Sequence, residues 1–592
     1  MAARPHHSPP PSARNAGDAG GEARELEWQL AATDLGVVRH WLDRHSLVDE
    51  LSIEPVSPQQ LRDTYLDTED WRVFRAGYAL RVREKGGRFE ATLKGLRSAR
   101  EDVADRREIT ESLPEGTVKA LVGASGPVGR RVRDVIGVKP LRTLFEVRTS
   151  RERFAVHSRD AAEEVGELAL DEAQFSRADG HRRPMILTRV ELEAIGRNGA
   201  ALEGLAARLR TECGLQPATE NKFAAGLHSA SLEPPRARAP DGEVEPVRPV
   251  MDASSRAGDF AAAALQRLLG EWRDHEPAAR LGEKPEALHA LRVTGRRMNT
   301  VLSLFSAYLP AALGKSRPKL KRLLDALGAV RDADIRLETV TAFRSRLPQA
   351  DGAALDPLLR HLGAEREAAR AAMLRALDTK RTRDWLERLP IRLRLTRPMP
   401  ESASASPRNA AALRVVPDLI RRRYRKLRKC VRRLTPESPM SQYHNVRVHT
   451  KKLRYALEMV APTYAEPAEE MLATLLELQG RLGTQHDSDE IVRYLTQLAV
   501  HPPAEFGSRT LFLMGRLAEL HARKAARLGG KIEKLWRRLR GKPWKALRAR
   551  MKELRDEMPR STSKGNGIDH VAGDDLRVAS GARGSALAAS GR

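Results

Sequence analysis

A five-residue pattern occurs twice in the second half of this chain and limits what that half can fold into. His-Ala-Leu-Arg-Val at 289–293 returns as His-Asn-Val-Arg-Val at 444–448, an offset of 444 − 289 = 155. At the same offset Arg296-Arg297 becomes Lys451-Lys452 and Leu302 becomes Leu457. Leu327-Gly328 becomes Leu482-Gly483, Asp332 becomes Asp487 and Asp334 becomes Asp489. The register is kept without net insertion, so two copies of one unit are expected to pack about a pseudo-twofold axis. From about residue 256 onward Ala, Leu, Arg and Glu dominate, and apolar residues recur at three- and four-residue spacing. Prolines sit between the periodic segments, and this half reads as all-α.

Each copy carries a two-faced helix. His289, Arg292 and Arg296 fall at i, i+3 and i+7 on one face beside Arg297, with Leu291, Met298, Leu302 and Phe305 on the other. His444, Arg447, Lys451 and Lys452, extended by Arg454, repeat the basic stripe, and Val446, Leu453, Leu457 and Val460 repeat the apolar one. Stacked like charges repel by a few tenths of a kcal/mol per pair. A solvated face is the plain reading of a charge run. An unfavourable stripe aligned twice with a histidine favours an anion-binding role instead. Residues 421–433 add nine cations and no acid, and Lys315, Arg317, Lys319, Lys321 and Arg322 form a further run. Such a groove suits a long polyanion held by counterion release. A metal at His289 and His444 is disfavoured by their cationic neighbours. Asp332 and Asp487 follow a Leu-Gly pair and either cap the next helix or orient the neighbouring cations.

The first half alternates at period two. RELEWQL, YALRVREK, RFEATLKG, LRTLFEVRT, GELALDEA and LTRVELEAI read as strands with one apolar face. The polar face carries both signs: Glu25, Glu27, Arg81, Arg83, Lys94, Glu167, Asp171, Glu191 and Glu193. A solvated sheet face and an antiparallel barrel with a charged interior both give this alternation.

Residues 1–21, 230–255 and 560–592 are rich in Pro, Gly, Ser or Ala and lack periodicity, so they read as tail, linker and tail. The expected division is a disordered tail at 1–21, a β domain at 22–229 and a linker at 230–255. A helical domain at 256–545 and a basic helix end with a disordered tail at 546–592 follow. The fold class is therefore α+β in two domains, and the linker is long enough for the domains to be independent. Lys and Arg exceed Asp and Glu by 104 − 78 = 26 charges, which calls for an anionic partner. Aromatics at 4% leave few faces for stacking bases, so nucleic acid is an unfavoured partner. Cys213 and Cys430 cannot build a disulfide framework or a cysteine zinc site. No stretch has the apolar character of a signal or a membrane span, and a cytoplasmic protein is expected.

The duplicated His-x-x-Arg-Val-x-x-Arg/Lys-Arg/Lys helix, the Leu-Gly-x-x-x-Asp-x-Asp block and the closing Leu535–Trp544 stretch resemble the CHAD family, over about 256–545. That resemblance implies a two-copy helical bundle that binds inorganic polyphosphate, and association with polyphosphate granules. Its ligands would be His289, Arg292, Arg296, Arg297, His444, Arg447, Lys451, Lys452 and Arg454.

Residues 22–228 resemble the CYTH family, the triphosphate tunnel fold, whose members commonly precede a CHAD domain. The likeness rests on Glu25-Leu26-Glu27, Tyr65-Leu66-Asp67-Thr68, Leu80-Arg81-Val82-Arg83, Thr92-Leu93-Lys94, Arg151, Glu167 to Asp171, Glu191-Leu192-Glu193 and Lys222. It implies an antiparallel β tunnel with flanking helices and metal-dependent hydrolysis of inorganic triphosphate. Glu25, Glu27, Asp171, Glu191 and Glu193 would hold Mg²⁺ or Mn²⁺, hard cations that prefer carboxylate oxygens. Arg81, Arg83, Lys94, Arg151 and Lys222 would grip the phosphates. Glu25, Glu27 and Gln29 form the expected catalytic strand, and here the chain departs from its family. Gln29 stands where the family has lysine, and Thr110 where a second acid is expected. The alternative is a catalytically weak tunnel in a polyphosphate-binding scaffold.

Overall fold

The computed structural model describes residues 22–96, 103–159, 163–177, 185–196, 198–235, 249–394, 407–435, 438–526 and 529–558. The expected tails at 1–21 and 560–592 and the middle of the linker lie outside these residues.

The alternating segments form strands. They are β1 (Glu22–Ala31), β2 (Leu47–Val48), β3 (Leu51–Thr68), β4 (Tyr78–Lys85), β5 (Arg88–Gly95) and β6 (Val103–Leu113). Next come β7 (Leu141–Ser158), β8 (Glu164–Arg177), β9 (Met185–Ala194) and β10 (Gln216–Pro217). Helices α1 (Leu35–Arg44), α2 (Arg72–Arg75), α3 (Val118–Gly123), α4 (Pro127–Ile136), α5 (Gly199–Glu212) and α6 (Lys222–Ser229) are interleaved with them. Pairing is antiparallel and runs β1–β6–β5–β4–β3–β7–β8–β9, and β9 pairs back onto β1. The strands therefore wrap a tunnel.

Side-chain alternation assigns the two faces of the wall. In β4, Tyr78, Leu80 and Val82 pack outward with Val128, Val132, Val135 and Ile136 of α4. Arg81 and Arg83, one residue out of phase, point into the tunnel. A second outer core sets Leu30, Leu168, Leu170, Val190 and Leu192 against α1 and α5. Aromatic rings fill one part of the interior: Tyr65 stacks on Phe145 at 4.7 Å, and Phe223 lies 5.7 Å from Tyr65. The charged face is thus the inside of the tunnel rather than a solvated surface. Glu111 of β6 turns outward and accepts hydrogen bonds from the N–H groups of Gly126, Val128 and Gly129 at 2.6–2.9 Å. It supplies the acceptor that the N-terminus of α4 lacks, and so locks that helix to the wall.

The second half is helical. Its first copy holds α7 (Ala257–Leu281), α8 (Pro285–Leu304), α9 (Ala311–Gly314), α10 (Arg317–Arg344), α11 (Gln349–Ala353), α12 (Asp356–Asp378) and α13 (Lys380–Arg394). The second holds α14 (Ala412–Val431), α15 (Met440–Val500) and α16 (Ser508–Ala526), followed by α17 (Gly529–Leu539) and α18 (Lys542–Asp556). The pseudo-twofold shows in the backbone itself. Ala257 N–H donates to Ala410 C=O at 2.9 Å and Ala412 N–H to Ser255 C=O at 2.8 Å, a reciprocal pair related by the 155-residue offset. Ala465 of α15, with φ 48°, breaks that helix at the position equivalent to Pro310. The two arms of α15 thus correspond to α8 and α10. Gly295 lets α8 approach its neighbours closely, since a Cβ there would meet Leu324 at 2.8 Å and Trp272 at 3.0 Å. Leu327-Gly328 and Leu482-Gly483 lie inside α10 and α15, so Asp332 and Asp487 are mid-helix residues and cap nothing.

The halves are not independent. Leu281 is buried in the outer core of the tunnel with Val132 and Ile136. Glu283 accepts from Tyr78 Oη at 2.7 Å and pairs with Arg107 at 2.7 Å and Arg131 at 3.0 Å. Arg72 reaches Glu276 at 3.2 Å, and Arg370 reaches Asp134 at 2.8 Å. Apolar burial and desolvated ion pairs between the halves override the freedom that linker length alone would allow. Beyond the linker, Met251 is buried and its N–H donates to Thr463 Oγ1 at 2.9 Å.

Candidate functional site

Two charged sites emerge, one in each half. In the tunnel, strand register brings acids together: Glu27 pairs with Glu193, which pairs with Glu167, and one step along Gln29 pairs with Glu191. Gln29 Nε2 donates to Glu27 Oε1 at 2.8 Å, and Lys94 Nζ lies 3.2 Å from the same oxygen. Arg81 spans Glu108 at 3.3 Å and Asp63 at 3.8 Å, while Arg83 donates two bonds to Asp63 at 2.7 and 2.8 Å. Arg151 donates two bonds of 2.7 Å to Asp171 and reaches Glu191 at 2.5 Å. Lys222, the first residue of α6, also holds Asp171 and lies 2.9 Å from Glu191.

The charges perturb one another strongly. Burial alone would raise the Asp63 carboxyl, but Arg83 and Arg81 outweigh it and bring the pKa to about 2. Burial opposes ionisation of Glu191 too, and Lys222 and Arg151 hold it well below the usual carboxylate range. Each cation that the resemblance assigned to phosphate is in the tunnel, and each is paired with an acid.

The carboxylates are chemically right for a hard divalent ion. Among the described residues, however, no three acids or histidines gather closely enough to hold one. Asp171 and Glu191 are taken up as counter-ions of Arg151 and Lys222. Glu27 and Glu193 remain in register across β1 and β9, and the Glu25 side chain lies outside the described atoms.

In the helical half, α7, α8, α10 and α15 enclose a cavity of about 1030 Å³. Ten arginines and lysines, four histidines and only five carboxylates line it. His289, Arg292, Arg296, Arg297, His444, Arg447, Lys451 and Arg454 all contribute, so both copies of the stripe meet at the axis. Glu458 takes up Arg297 at 3.0 Å and Arg454 at 2.7 Å. Asp332 and Asp487 stand 3.8 Å from Arg292 and Arg447, in the orienting role rather than the capping one. Arg296 and Lys451 have no ion pair among the described residues. The protein's own acids thus neutralise the edge of the ridge and leave its centre without a counter-ion.

That arrangement works against the protonation of its own groups. Burial, then Arg447 and Arg296, push the Lys451 ammonium down to about 6. Burial and Arg296 lower Arg292 to about 10, and burial with Arg447 lowers His486 to about 4. His289 and His444 are lowered for the same reasons. The buried Nε atoms of Arg447 and Arg454 have no hydrogen-bond partner among the described residues. An anion placed here would meet donors already assembled.

Residues 41–227 match the CYTH domain family, and residues 263–496 match the CHAD domain family. The chain is a CYTH–CHAD protein. Its CHAD half is similar to the CHAD domain from the plant Ricinus communis, at 26% identity over 50% of this chain and 98% of that one, with a TM-score of 0.41. PptA from Streptomyces chartreusis is 22% identical over 48% of this chain and 100% of its own length, with a TM-score of 0.38. The Hippeastrum protein HpAC1, described as having a dominant triphosphatase activity, is 20% identical over 34% of this chain and 95% of its own, with a TM-score of 0.27.

Several charged groups of the CYTH tunnel and CHAD cavity escaped the sequence reading. Asp63 sits in the tunnel as a partner of Arg81, and Arg189 is buried with its Nε unpartnered among the described residues. The alternation that marked Glu191 marks Arg189 as well, since the two are i and i+2 on β9. Arg331, Arg336 and His486 join the cavity from helices distant in sequence, which only the 155-residue symmetry could have suggested. Lys452 is not in the cavity lining at all. It faces Arg423, Lys426 and Arg317 on the other side of α15.

Proposed function

We propose that the CYTH tunnel binds inorganic triphosphate and hydrolyses it with the aid of Mg²⁺ or Mn²⁺, and that the CHAD cavity holds inorganic polyphosphate. The observation that carries the reading is the convergence of Arg81, Arg83, Lys94, Arg151 and Lys222 inside one tunnel. Phosphate oxygens would bind the N–H groups of these cations that face the tunnel, the arginines through two N–H groups and the lysines as point charges. Hydrolysis then depends chiefly on holding the chain in line and neutralising charge as the terminal phosphoryl group leaves. Glu25, Glu27 and Glu193 would carry the ion, which supplies polarisation of a phosphoryl oxygen. Asp171 positions Arg151 and Lys222.

Phosphate release from tripolyphosphate with Mg²⁺ or Mn²⁺ tests the reading. Replacing Glu25 and Glu27 together by alanine is expected to lower the rate by about a hundredfold or more. Equal rates in the two proteins would reject it. In the CHAD half, R296E/K451E is expected to weaken polyphosphate binding.

A second reading is favoured by Gln29, which hydrogen-bonds Glu27 but brings no charge. In that case the tunnel binds triphosphate with little turnover, and the protein works as a cytoplasmic scaffold on polyphosphate granules. No helix among the described residues is long and apolar enough to cross a membrane.

A further inference from the structure

The duplication offers a comparison inside one molecule. On the first-copy side of the axis, Arg297 is neutralised by Glu458, and Arg267 by Glu271. Adding or subtracting 155 gives the counterparts on the other side: Lys452 for Arg297, Lys426 for Glu271 and Ser303 for Glu458. Both acids have thus been replaced, one by a cation and one by a hydroxyl. The surroundings are correspondingly basic. Arg423 of α14 donates to Ser303 Oγ of α8 at 2.7 Å, which anchors the guanidinium over the junction of the two helices. Lys426 lies one turn along α14 from Arg423, and His449 lies one turn before Lys452 on α15. Arg317 opens α10 at the same place, close enough to depress both Arg423 and Lys452. The Nδ1 atom of His449 is buried without a partner among the described residues. Among the described residues no carboxylate pairs with any of these five groups.

We infer that Arg317, Arg423, Lys426, His449 and Lys452 form a second phosphate-binding site, outside the central cavity, where a further segment of a phosphate chain docks. The inference rests on the reading that the CHAD half binds polyphosphate, but on residues outside the central cavity, of which only Lys452 is among the ligands the family resemblance implies. Four cations and an imidazole from three helices meet there without an acid, so phosphoryl oxygens can take several charge-assisted bonds at once. No aromatic ring is needed by such a ligand, and Tyr424, the ring nearest in sequence, is buried against Trp544 at 3.7 Å. A stacked base would have no platform.

The test uses the full chain, long-chain inorganic polyphosphate and a chelator that prevents turnover in the tunnel. R423E/K426E is expected to weaken binding by more than about tenfold, as two cationic contacts become repulsive. K452E, an exposed change on another helix, is expected to weaken it in the same direction, which separates loss of the site from loss of the Arg423–Ser303 contact. In the R296E/K451E background residual binding is expected, and R423E/K426E should remove it. Unchanged affinity of R423E/K426E in both backgrounds would overturn the inference, and so would complete loss on R296E/K451E alone. If R296E/K451E changes nothing while R423E/K426E does, the second site stands and the central cavity loses its assignment. Single-stranded RNA displacing polyphosphate from the R296E/K451E protein at physiological salt would also overturn it.

Discussion

Gln29 and Glu27 are joined side chain to side chain on the same strand, the amide donating to the carboxylate at 2.8 Å. The bond orients Glu27 but adds no charge beside Lys94, whose ammonium lies 3.2 Å from the same oxygen. Q29K is therefore expected to raise turnover of tripolyphosphate by about tenfold or more, because a charged donor would face the charge developing in the transition state. Steady-state phosphate release decides it. No gain would mean that Gln29 is not what limits the tunnel.

Asp63 is held ionised by Arg83 and Arg81 despite its burial, with a pKa of about 2. Its folded value lies below that of an unfolded aspartate, so the stability it contributes is complete above about pH 4 and is lost as pH falls toward 2. D63N should lower stability at pH 7 by about 2–4 kcal/mol, because half-buried Arg83 loses both of its bonds to a carboxylate. It should also flatten the acid dependence in that window. Urea unfolding at pH 7, 4 and 3 measures both effects.

Lys451 has its pKa pushed down to about 6 by burial and by Arg447 and Arg296. A bound phosphate chain favours the protonated amine, so binding takes up a proton where the free lysine is neutral. Affinity for polyphosphate should rise by up to about tenfold per pH unit as pH falls from 7.5 to 6, with His289 and His444 adding to the trend. K451R, charged throughout, should be less pH-dependent. A profile equally steep in both proteins would place the titration elsewhere.

Glu283 receives Tyr78, Arg107 and Arg131 from three elements of the tunnel wall. E283A leaves those groups without their carboxylate at a partly buried junction, and a loss of about 2–4 kcal/mol from docking is expected. Scanning calorimetry should resolve the parent's joint transition into separate unfolding of the two halves. A single transition shifted only slightly would show that the apolar contact at Leu281 suffices.

Much of this was legible because periodicity and repetition are local properties. Arg81 and Arg83 alternate with Leu80 and Val82, which is enough to set them on one face of a strand. His289 and His444 share neighbours at one offset, which is enough to pair their helices. Asp63 was missed because its importance lies in facing Arg81 across the tunnel. Asp332 was ambiguous because a Leu-Gly pair is compatible with both a helix end and a helix interior. Packing along α10 chose the interior.

The order of residues by itself determined the strand faces, the helix faces and the twofold plan of the helical half, since each follows from spacing along the chain. Which charges neutralise which was decided only by the tertiary structure. Coulomb interactions in a wet, folded interior depend on separations of a few ångströms between groups hundreds of residues apart. That is why Asp171 became a counter-ion, Lys452 turned away from the axis, and Glu283 joined two halves that a linker appeared to separate.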